Sequence, residues 1–92
     1  MANYAAVRAK HATAGAGVAD TISLSSDGDY YDVVNRSTDY MYITIDGVTT
    51  PTVGGDNCYV VPPASAFSFQ DEGQIVVKLI IAAGGAYSVQ VV

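Results

Sequence analysis

The chain has 92 residues, which is the size of one small domain. Half of its residues are hydrophobic and only 14% are charged, against roughly 25% in a typical soluble domain, and this composition excludes an intrinsically disordered chain. Four basic and nine acidic residues give a net charge of −5, which excludes a nucleic-acid binder that depends on a basic stripe.

Residues 1–17 are predicted to form an arm that is separate from the rest of the chain. The segment is rich in Ala and Gly, and it holds three of the five groups that can be cationic, Arg8, Lys10 and His11. Residues 5–12 have some preference for helix, but so short a helix is marginal in water without packing. We therefore expect an extended or partly helical arm that is either solvated or ordered only against a partner.

Residues 18–92 show the alternation of apolar and polar side chains that is typical of half-buried strands. The clearest case is residues 40–46, where Met41, Ile43 and Ile45 face one way and Tyr and Thr side chains face the other. Turn signals such as Asp-Gly, Gly-Gly and Pro-Pro separate the apolar runs at intervals of roughly 8–12 residues. The sequence thus predicts about seven short strands, around residues 22–24, 30–36, 40–46, 58–61, 66–70, 74–81 and 86–92.

This spacing predicts an all-β fold, a single small antiparallel β-sandwich or barrel in residues 18–92. A jelly roll, a Greek-key sandwich and a small barrel share the spacing, so the strand order stays open. The residues expected in the core occupy the inward positions of the strands: Ile22, Leu24, Tyr31, Val33, Met41, Ile43, Ile45, Val60, Phe67, Phe69, Ile75, Val77, Leu79, Val89 and Val91.

Three of the predicted strands also carry apolar side chains on the face that a sandwich leaves in water. Single exposed apolar residues are ordinary, but several in one charge-poor domain indicate contiguous interaction patches. Tyr suits such a patch because its ring buries area while its hydroxyl finds a partner, although Tyr also simply favours strands. We predict a homo-oligomer of cyclic symmetry whose interface contains Tyr30, Val34, Tyr40, Tyr42, Val76 and Ile80.

The sequence does not point to catalysis. His11, the only His, lies in the predicted mobile arm, where it cannot be held with the precision that catalysis requires. Asp27, Asp29 and Asp32 could crowd around a cation, but they lack the spacing and the bidentate Glu of an EF-hand loop. Most carboxylates fall in turns, where Asp caps backbone groups. We predict a protein that is not an enzyme and that binds no cofactor and no metal.

Targeting signals are also missing from the sequence. The charged residues near the start follow apolar residues instead of preceding them, unlike a secretory signal. The longest apolar stretch, residues 75–83, is about half the length of a membrane helix. The unpaired Cys58 suits a reducing compartment. We expect the chain to be made and kept in a cytoplasm, or to leave it by lysis, and to have no membrane partner.

Residues 33–91 resemble small β-rich virion proteins of tailed bacteriophages. The resemblance lies in an order of strands and turns: Val33-Val34-Asn35-Arg36, residues 40–47, Thr50-Pro51-Thr52-Val53-Gly54-Gly55-Asp56-Asn57, Tyr59-Val60-Val61-Pro62, Val77-Lys78-Leu79-Ile80 and Tyr87-Ser88-Val89-Gln90-Val91. It implies a capsid decoration, or cement, protein that binds the outer surface of a phage head, often as a trimer, and stabilises it. The implied partners are the major capsid protein of the same virus and further copies of the chain, and the implied location is the capsid surface of the virion.

A cement protein needs a clamp for neighbouring capsid subunits, and we assign this role to the arm residues Tyr4, Arg8, Lys10 and His11. The assignment predicts that removal of residues 1–12 abolishes capsid binding and leaves the fold intact. The alternative function is a tail, neck or fibre component that acts as a protein- or glycan-binding module, since exposed Tyr pairs also stack on sugars. Copy number distinguishes the two, because a cement protein is present in far more copies per particle.

Overall fold

The computed structural model describes residues 8–25, 30–70 and 75–92, and within these ranges the chain is built from β-strands and turns. No helix in the described ranges is long and apolar enough to cross a membrane. The strands are β1 (Ala9–Ala14), β2 (Asp20–Leu24), β3 (Tyr31–Asn35), β4 (Met41–Thr44), β5 (Tyr59–Val61), β6 (Ala66–Phe69), β7 (Ile75–Ile81) and β8 (Gly85–Val91).

The strands form two four-stranded sheets in which all pairs are antiparallel. Sheet I has the order β1-β8-β3-β6, and sheet II has the order β2-β7-β4-β5. Every connection except that from β4 to β5 carries the chain from one sheet to the other. This eight-stranded order is that of a jelly roll. The prediction of an all-β fold is confirmed, and the strand order left open by the sequence is the jelly-roll order.

The region predicted as an arm supplies an eighth strand. β1 pairs with β8, from Ala9 opposite Gln90 to Ala14 opposite Gly85. The predictions of a helix over residues 5–12 and of an arm separate from the sandwich up to residue 17 are therefore wrong for the residues of β1. The physical reason is that the edge of β8 offers a ladder of hydrogen bonds, whereas a helix this short is barely stable in water.

The core fills the space between the two sheets and consists mainly of residues that the alternation predicted. Its fully buried large side chains are Ile22, Tyr31, Val33, Met41, Ile43, Val61, Val77, Leu79, Ile81, Tyr87 and Val89. β5 is the exception, because Val61 is buried while Val60 is 51% exposed, the reverse of the prediction. Val61 lies opposite Met41, so the pleat points both inward. A three-residue strand is too short for its sequence to indicate which face is buried.

A buried asparagine joins the two sheets. Asn35 ends β3 and is fully buried. Its Nδ2 donates to the carbonyl of Val61 in sheet II at 2.8 Å and to the carbonyl of Asp39 at 2.7 Å. Its Oδ1 accepts from the backbone nitrogen of Ser37 at 2.9 Å and from the Ser37 hydroxyl at 2.6 Å. Both donors and both acceptor positions of the amide are used, which is why a polar side chain is stable in this place.

A second polar link connects β8 with β2. Tyr87 is fully buried, and its hydroxyl donates to Oδ2 of Asp20 at 2.8 Å. Burial, together with the hydrogen bond to the Asp20 carboxylate, raises the pKa of the Tyr87 hydroxyl well above its ordinary value. The hydroxyl therefore stays protonated and remains a donor across the physiological pH range.

The turn between β7 and β8 requires glycine. Gly84 has a φ of +74°, and a Cβ there would lie 2.8 Å from the carbonyl oxygen of Ala14 and 2.9 Å from the nitrogen of Ala16. At Gly85 a Cβ would collide with the side chain of Ser37. These glycines thus let the turn from β7 in sheet II to β8 in sheet I pack against two other turns. Because β7 and β8 do not pair with each other, the interpretation of Gly84 and Gly85 as hairpin residues is wrong, and they belong to a connection between the sheets.

Candidate interaction surface

The six residues predicted to form the interface lie on the outer faces of two different sheets. Tyr30 immediately precedes β3 of sheet I, and Val34 lies within this strand. The remaining four residues lie in or next to strands of sheet II. Because the sheets pack with their inner faces together, their outer faces point in opposite directions. The structure therefore does not bring the six residues into one patch.

Two of the six are covered. Val76 and Ile80 on β7 point away from the core, yet they are only 6% and 8% exposed, so their prediction as exposed interface residues is wrong. The loop after β4 covers Val76, since a Cβ at Gly47 would lie 3.6 Å from the Val76 Cβ. Ile80 is flanked by Tyr42, which lies directly across from it on β4. Sheet II thus carries a small apolar layer on its outer side.

That layer forms a continuous row across three strands, in which Ile80 is covered and the side chains beside it are accessible. Tyr42 lies opposite Ile80 of β7 and opposite Val60 of β5, so the three side chains share one face. Tyr40 precedes Tyr42 by two residues and lies on the same face. Tyr40 and Val60 are each 51% exposed, and Tyr42 is half-buried. We call Tyr40, Tyr42, Val60 and Ile80 the outer apolar face. Sequence reasoning missed Val60 because it placed this residue in the core.

The outer apolar face extends to an edge of sheet II. β5 is the last strand in the sheet order, and in the described ranges no strand pairs with its outer side. Natural edge strands are usually protected from other chains by charged side chains, Pro or bulges. The three residues of β5, Tyr59–Val61, carry no charge. β5 is only three residues long and Pro62 and Pro63 follow it, so the edge open to another chain is confined to these three residues beside the apolar surface.

The residues predicted as a clamp do not form a free arm. Tyr4 lies outside the described residues. Arg8 immediately precedes β1, and its carbonyl accepts a hydrogen bond from the nitrogen of Val91 at 2.7 Å. Lys10 and His11 lie within β1. Removal of residues 1–12 would therefore delete most of an edge strand, contrary to the expectation that it leaves the fold intact.

Lys10 and His11 point to opposite sides of β1. Lys10 lies opposite the core residue Val89 and therefore borders the inner side of sheet I. A charge in this position on an edge strand disfavours pairing with another chain. His11 lies opposite Ser88 on the outer face of sheet I, with its Nδ1 2.7 Å from Ser88 Oγ. Arg36 also reaches this serine, donating from Nη1 to Oγ at 3.5 Å. The expectation of a mobile His11 is therefore wrong, and no local signal could indicate a partner 77 residues away.

An aromatic stack closes the side of the sandwich between β5 and β6. The ring centroids of Tyr59 and Phe67 are 4.9 Å apart, those of Phe67 and Phe69 5.9 Å, and those of Phe69 and Tyr31 5.5 Å. Tyr31 at the inner end is fully buried, and Tyr59 at the outer end is 50% exposed. The stack fixes the position of the Tyr59 ring relative to the core.

A shallow depression of about 260 Å³ lies at the exposed end of this stack and is lined by residues 56–59. Two turns shape the preceding loop, as Gly55 N donates to Thr52 O at 2.9 Å and Cys58 N donates to Gly55 O at 3.3 Å. The Cys58 thiol also lies 3.8 Å from the Thr52 carbonyl. The depression is thus lined by Tyr59 together with polar loop residues.

The carboxylate of Asp46 organises the loop that covers Val76. Its Oδ1 accepts from the nitrogens of Val48 at 2.9 Å and Thr49 at 2.8 Å, and its Oδ2 accepts from the Thr49 hydroxyl at 2.6 Å. These hydrogen bonds, the one from the Thr49 hydroxyl above all, lower the pKa of Asp46 to about 2. Asp46 therefore has the turn-capping role expected of Asp in such loops.

The carboxylates considered for a cation site are only partly described. Asp32 Oδ1 accepts a hydrogen bond from the Ser68 hydroxyl at 2.6 Å, and Asp27 and Asp29 lie outside the described residues. Among residues 8–25, 30–70 and 75–92, no group of three or more His, Cys, Asp or Glu side chains could hold a metal ion.

No protein-family model and no curated protein matches the sequence. A solution NMR structure of a de novo designed double-stranded β-helix is similar, with a TM-score of 0.59 and 9% identity over 91% of this chain and 97% of that chain. At that identity the likeness shows the fold alone. A structure described as Bacillus endospore appendages that form a family of disulfide-linked pili has a TM-score of 0.45 and 20% identity over 95% of this chain and 87% of that chain. That TM-score is too low to inform the fold or the function.

Proposed function

We propose that this chain is a virion structural protein, a capsid decoration (cement) protein that binds the outside of a phage head as a homo-oligomer, with a trimer favoured. The observation that carries the proposal is the outer apolar face, Tyr40, Tyr42, Val60 and Ile80, which adjoins the uncharged edge strand β5. An apolar surface beside an open strand edge favours a protein partner. The resemblance of residues 33–91 to phage virion proteins also supports it.

In this proposal the two outer faces bind different partners. The outer apolar face of sheet II packs against a neighbouring copy of the chain, where half-buried Tyr rings contribute area and their hydroxyls find hydrogen bonds. The outer face of sheet I, with His11, Ser88 and Arg36 in contact, Val34 opposite Ser88 and Tyr30 at the other end of β3, faces the capsid protein. A protein that binds the mature shell more tightly than its loosened form stabilises the shell by mass action.

The fold is compatible with this role. Viral capsid and lectin domains both use eight-stranded jelly rolls. Because one fold serves many functions, this analogy supports the proposal only weakly. The proposal therefore rests on the composition of the two outer faces.

A tail, neck or fibre module that binds a protein or a glycan is the second candidate function. The half-exposed Tyr59 beside a depression with polar lining favours it, because such a surface suits stacking on a ligand. Both candidates are non-enzymatic roles without a cofactor.

The mass of the full chain in solution, measured by light scattering, tests the role of the outer apolar face. We expect the wild-type chain to be a trimer and Val60→Asp to be a monomer, since a carboxylate would be buried without a partner in the interface. Val18→Asp is the matched control, because Val18 is 58% exposed in the turn between β1 and β2 and belongs to neither outer face. A monomeric wild-type chain, or a Val60→Asp variant that stays oligomeric, would contradict the proposed interface.

A further inference from the structure

We propose that the depression lined by residues 56–59 binds one residue of a neutral carbohydrate. The inference rests on an exposed aromatic ring, on the polar groups beside it and on the size of the depression. It specifies the ligand of the second candidate function, the glycan-binding module, and it uses neither the outer apolar face nor the outer face of sheet I, so it stands independently of capsid decoration.

Tyr59 supplies the surface on which a sugar ring would stack. Its side chain is 50% exposed, and Phe67 supports it from one side at a centroid distance of 4.9 Å and an interplanar angle of 29°. Pyranose rings present apolar C–H groups that pack against an aromatic face. Because the stack behind Tyr59 already fixes its ring, the binding of a ligand would cost little free energy for ordering this side chain.

Asp56 and Asn57 supply hydrogen-bonding groups in the same depression. A carboxylate accepts hydrogen bonds, and a carboxamide both accepts and donates them, which matches the dual character of sugar hydroxyls. The loop that carries them is held by turns at Thr52 and Gly55. A Cβ at Gly55 would lie 3.2 Å from the Cys58 sulfur, so this part of the loop is closely packed.

Size and charge narrow the class of ligand. The depression of about 260 Å³ is slightly smaller than the pockets of roughly 300–1,000 Å³ that hold drug-sized ligands, which suits a single pyranose. The Asp56 carboxylate and the net charge of −5 disfavour sialic and uronic acids. Asp56 and Asn57 are exposed, and a sugar offers them hydroxyl partners that an apolar peptide side chain lacks. A neutral hexose or N-acetylhexosamine therefore fits best.

The test is a titration of the isotope-labelled full chain, followed by backbone amide resonances, with glucose, galactose and N-acetylglucosamine. N-acetylneuraminic acid serves as the anionic control. We expect at least one neutral sugar to cause saturable shifts of the amides of residues 55–60, with a dissociation constant in the millimolar range. The proposal is overturned if none of the three neutral sugars shifts these amides, or if the anionic sugar binds there as well as they do.

Substitutions of Tyr59 and of a control tyrosine distinguish stacking of a sugar on Tyr59 from unspecific sugar binding. Tyr59→Ala should weaken binding at least about tenfold, and Tyr59→Phe should retain it, because the ring is the contact. Tyr30→Ala is the matched control, since Tyr30 is 51% exposed on the other sheet, and it should bind as the wild type does. If Tyr59→Ala fails to fold, Asn57→Ala replaces it and should weaken binding at least about threefold. If the folded variant, Tyr59→Ala or its replacement Asn57→Ala, binds the sugar as tightly as the wild type, the assignment of the depression as the sugar site is contradicted.

Discussion

Asn35 shows how a single side chain can determine the relative position of two sheets. It is fully buried at the end of β3. Its side-chain amide forms hydrogen bonds with the Val61 carbonyl across the sandwich and with Asp39 and Ser37 in the turn that follows. The sequence placed Asn35 next to a polar turn, but it gave no indication that the residue is buried. Its burial depends on the approach of β5, which the local sequence does not encode.

Replacement of Asn35 by alanine should be strongly destabilising. The variant would remove the donor to the buried Val61 carbonyl and leave the Asp39 carbonyl with the Ser37 hydroxyl alone, so we expect a loss of about 2–4 kcal/mol in the free energy of unfolding. Urea unfolding followed by circular dichroism measures this loss. Asn57→Ala, in an exposed loop, should change the stability by less than about 0.5 kcal/mol. Equal stability of the two variants would show that the Asn35 network contributes little.

Asp46 should make the fold sensitive to acid. Its pKa in the folded chain is about 2, below the value of about 3.9 expected in the unfolded chain. A depressed folded pKa stabilises the fold fully above the unfolded pKa, and this contribution is lost as the pH falls through the folded value. The Tm of the wild type should therefore fall more steeply between about pH 4 and about pH 2 than that of Asp46→Asn, measured by thermal unfolding. Parallel declines of the two proteins would contradict this role.

At the scale of elements, β1 is the feature that sequence reasoning placed wrongly. Its residues, AKHATA, show no clear alternation and include good helix formers, while their partner strand is at the other end of the chain. The strands with regular alternation, such as β4 and β7, were predicted because their periodicity is local. The burial of Val76 and Ile80 was missed because their cover comes from the loop after β4 and from Tyr42, not from the core.

Truncation from the N-terminus should distinguish β1 from an arm. Removal of residues 1–7 leaves β1 intact, and we expect the free energy of unfolding to change by less than about 1 kcal/mol. Removal of residues 1–12 takes most of β1 and exposes the edge of β8, so we expect a loss of about 2–5 kcal/mol and a tendency to aggregate. Urea unfolding of both truncated chains measures the difference. If both were equally stable, β1 would not be a structural strand.

At the scale of the whole molecule, the two outer faces differ in chemistry. Sheet II presents Tyr40, Tyr42 and Val60, whereas sheet I presents the contact of His11, Ser88 and Arg36. The sequence indicated that apolar side chains would be exposed, but it could not assign them to faces, because this requires the strand order. The jelly roll separates the two sets, and the proposed function uses this separation.

The most direct test of the proposed capsid decoration is to mix the purified chain with expanded heads of a phage whose genome carries its coding sequence and to count the bound copies per particle by quantitative mass spectrometry. We predict saturation at a copy number that matches a repeated position of the icosahedral shell, with higher thermal stability of the loaded heads. Val60→Asp should lose this effect, whereas the control Val18→Asp should retain it. An absence of binding, or a copy number as small as that of a tail or neck component, would contradict capsid decoration.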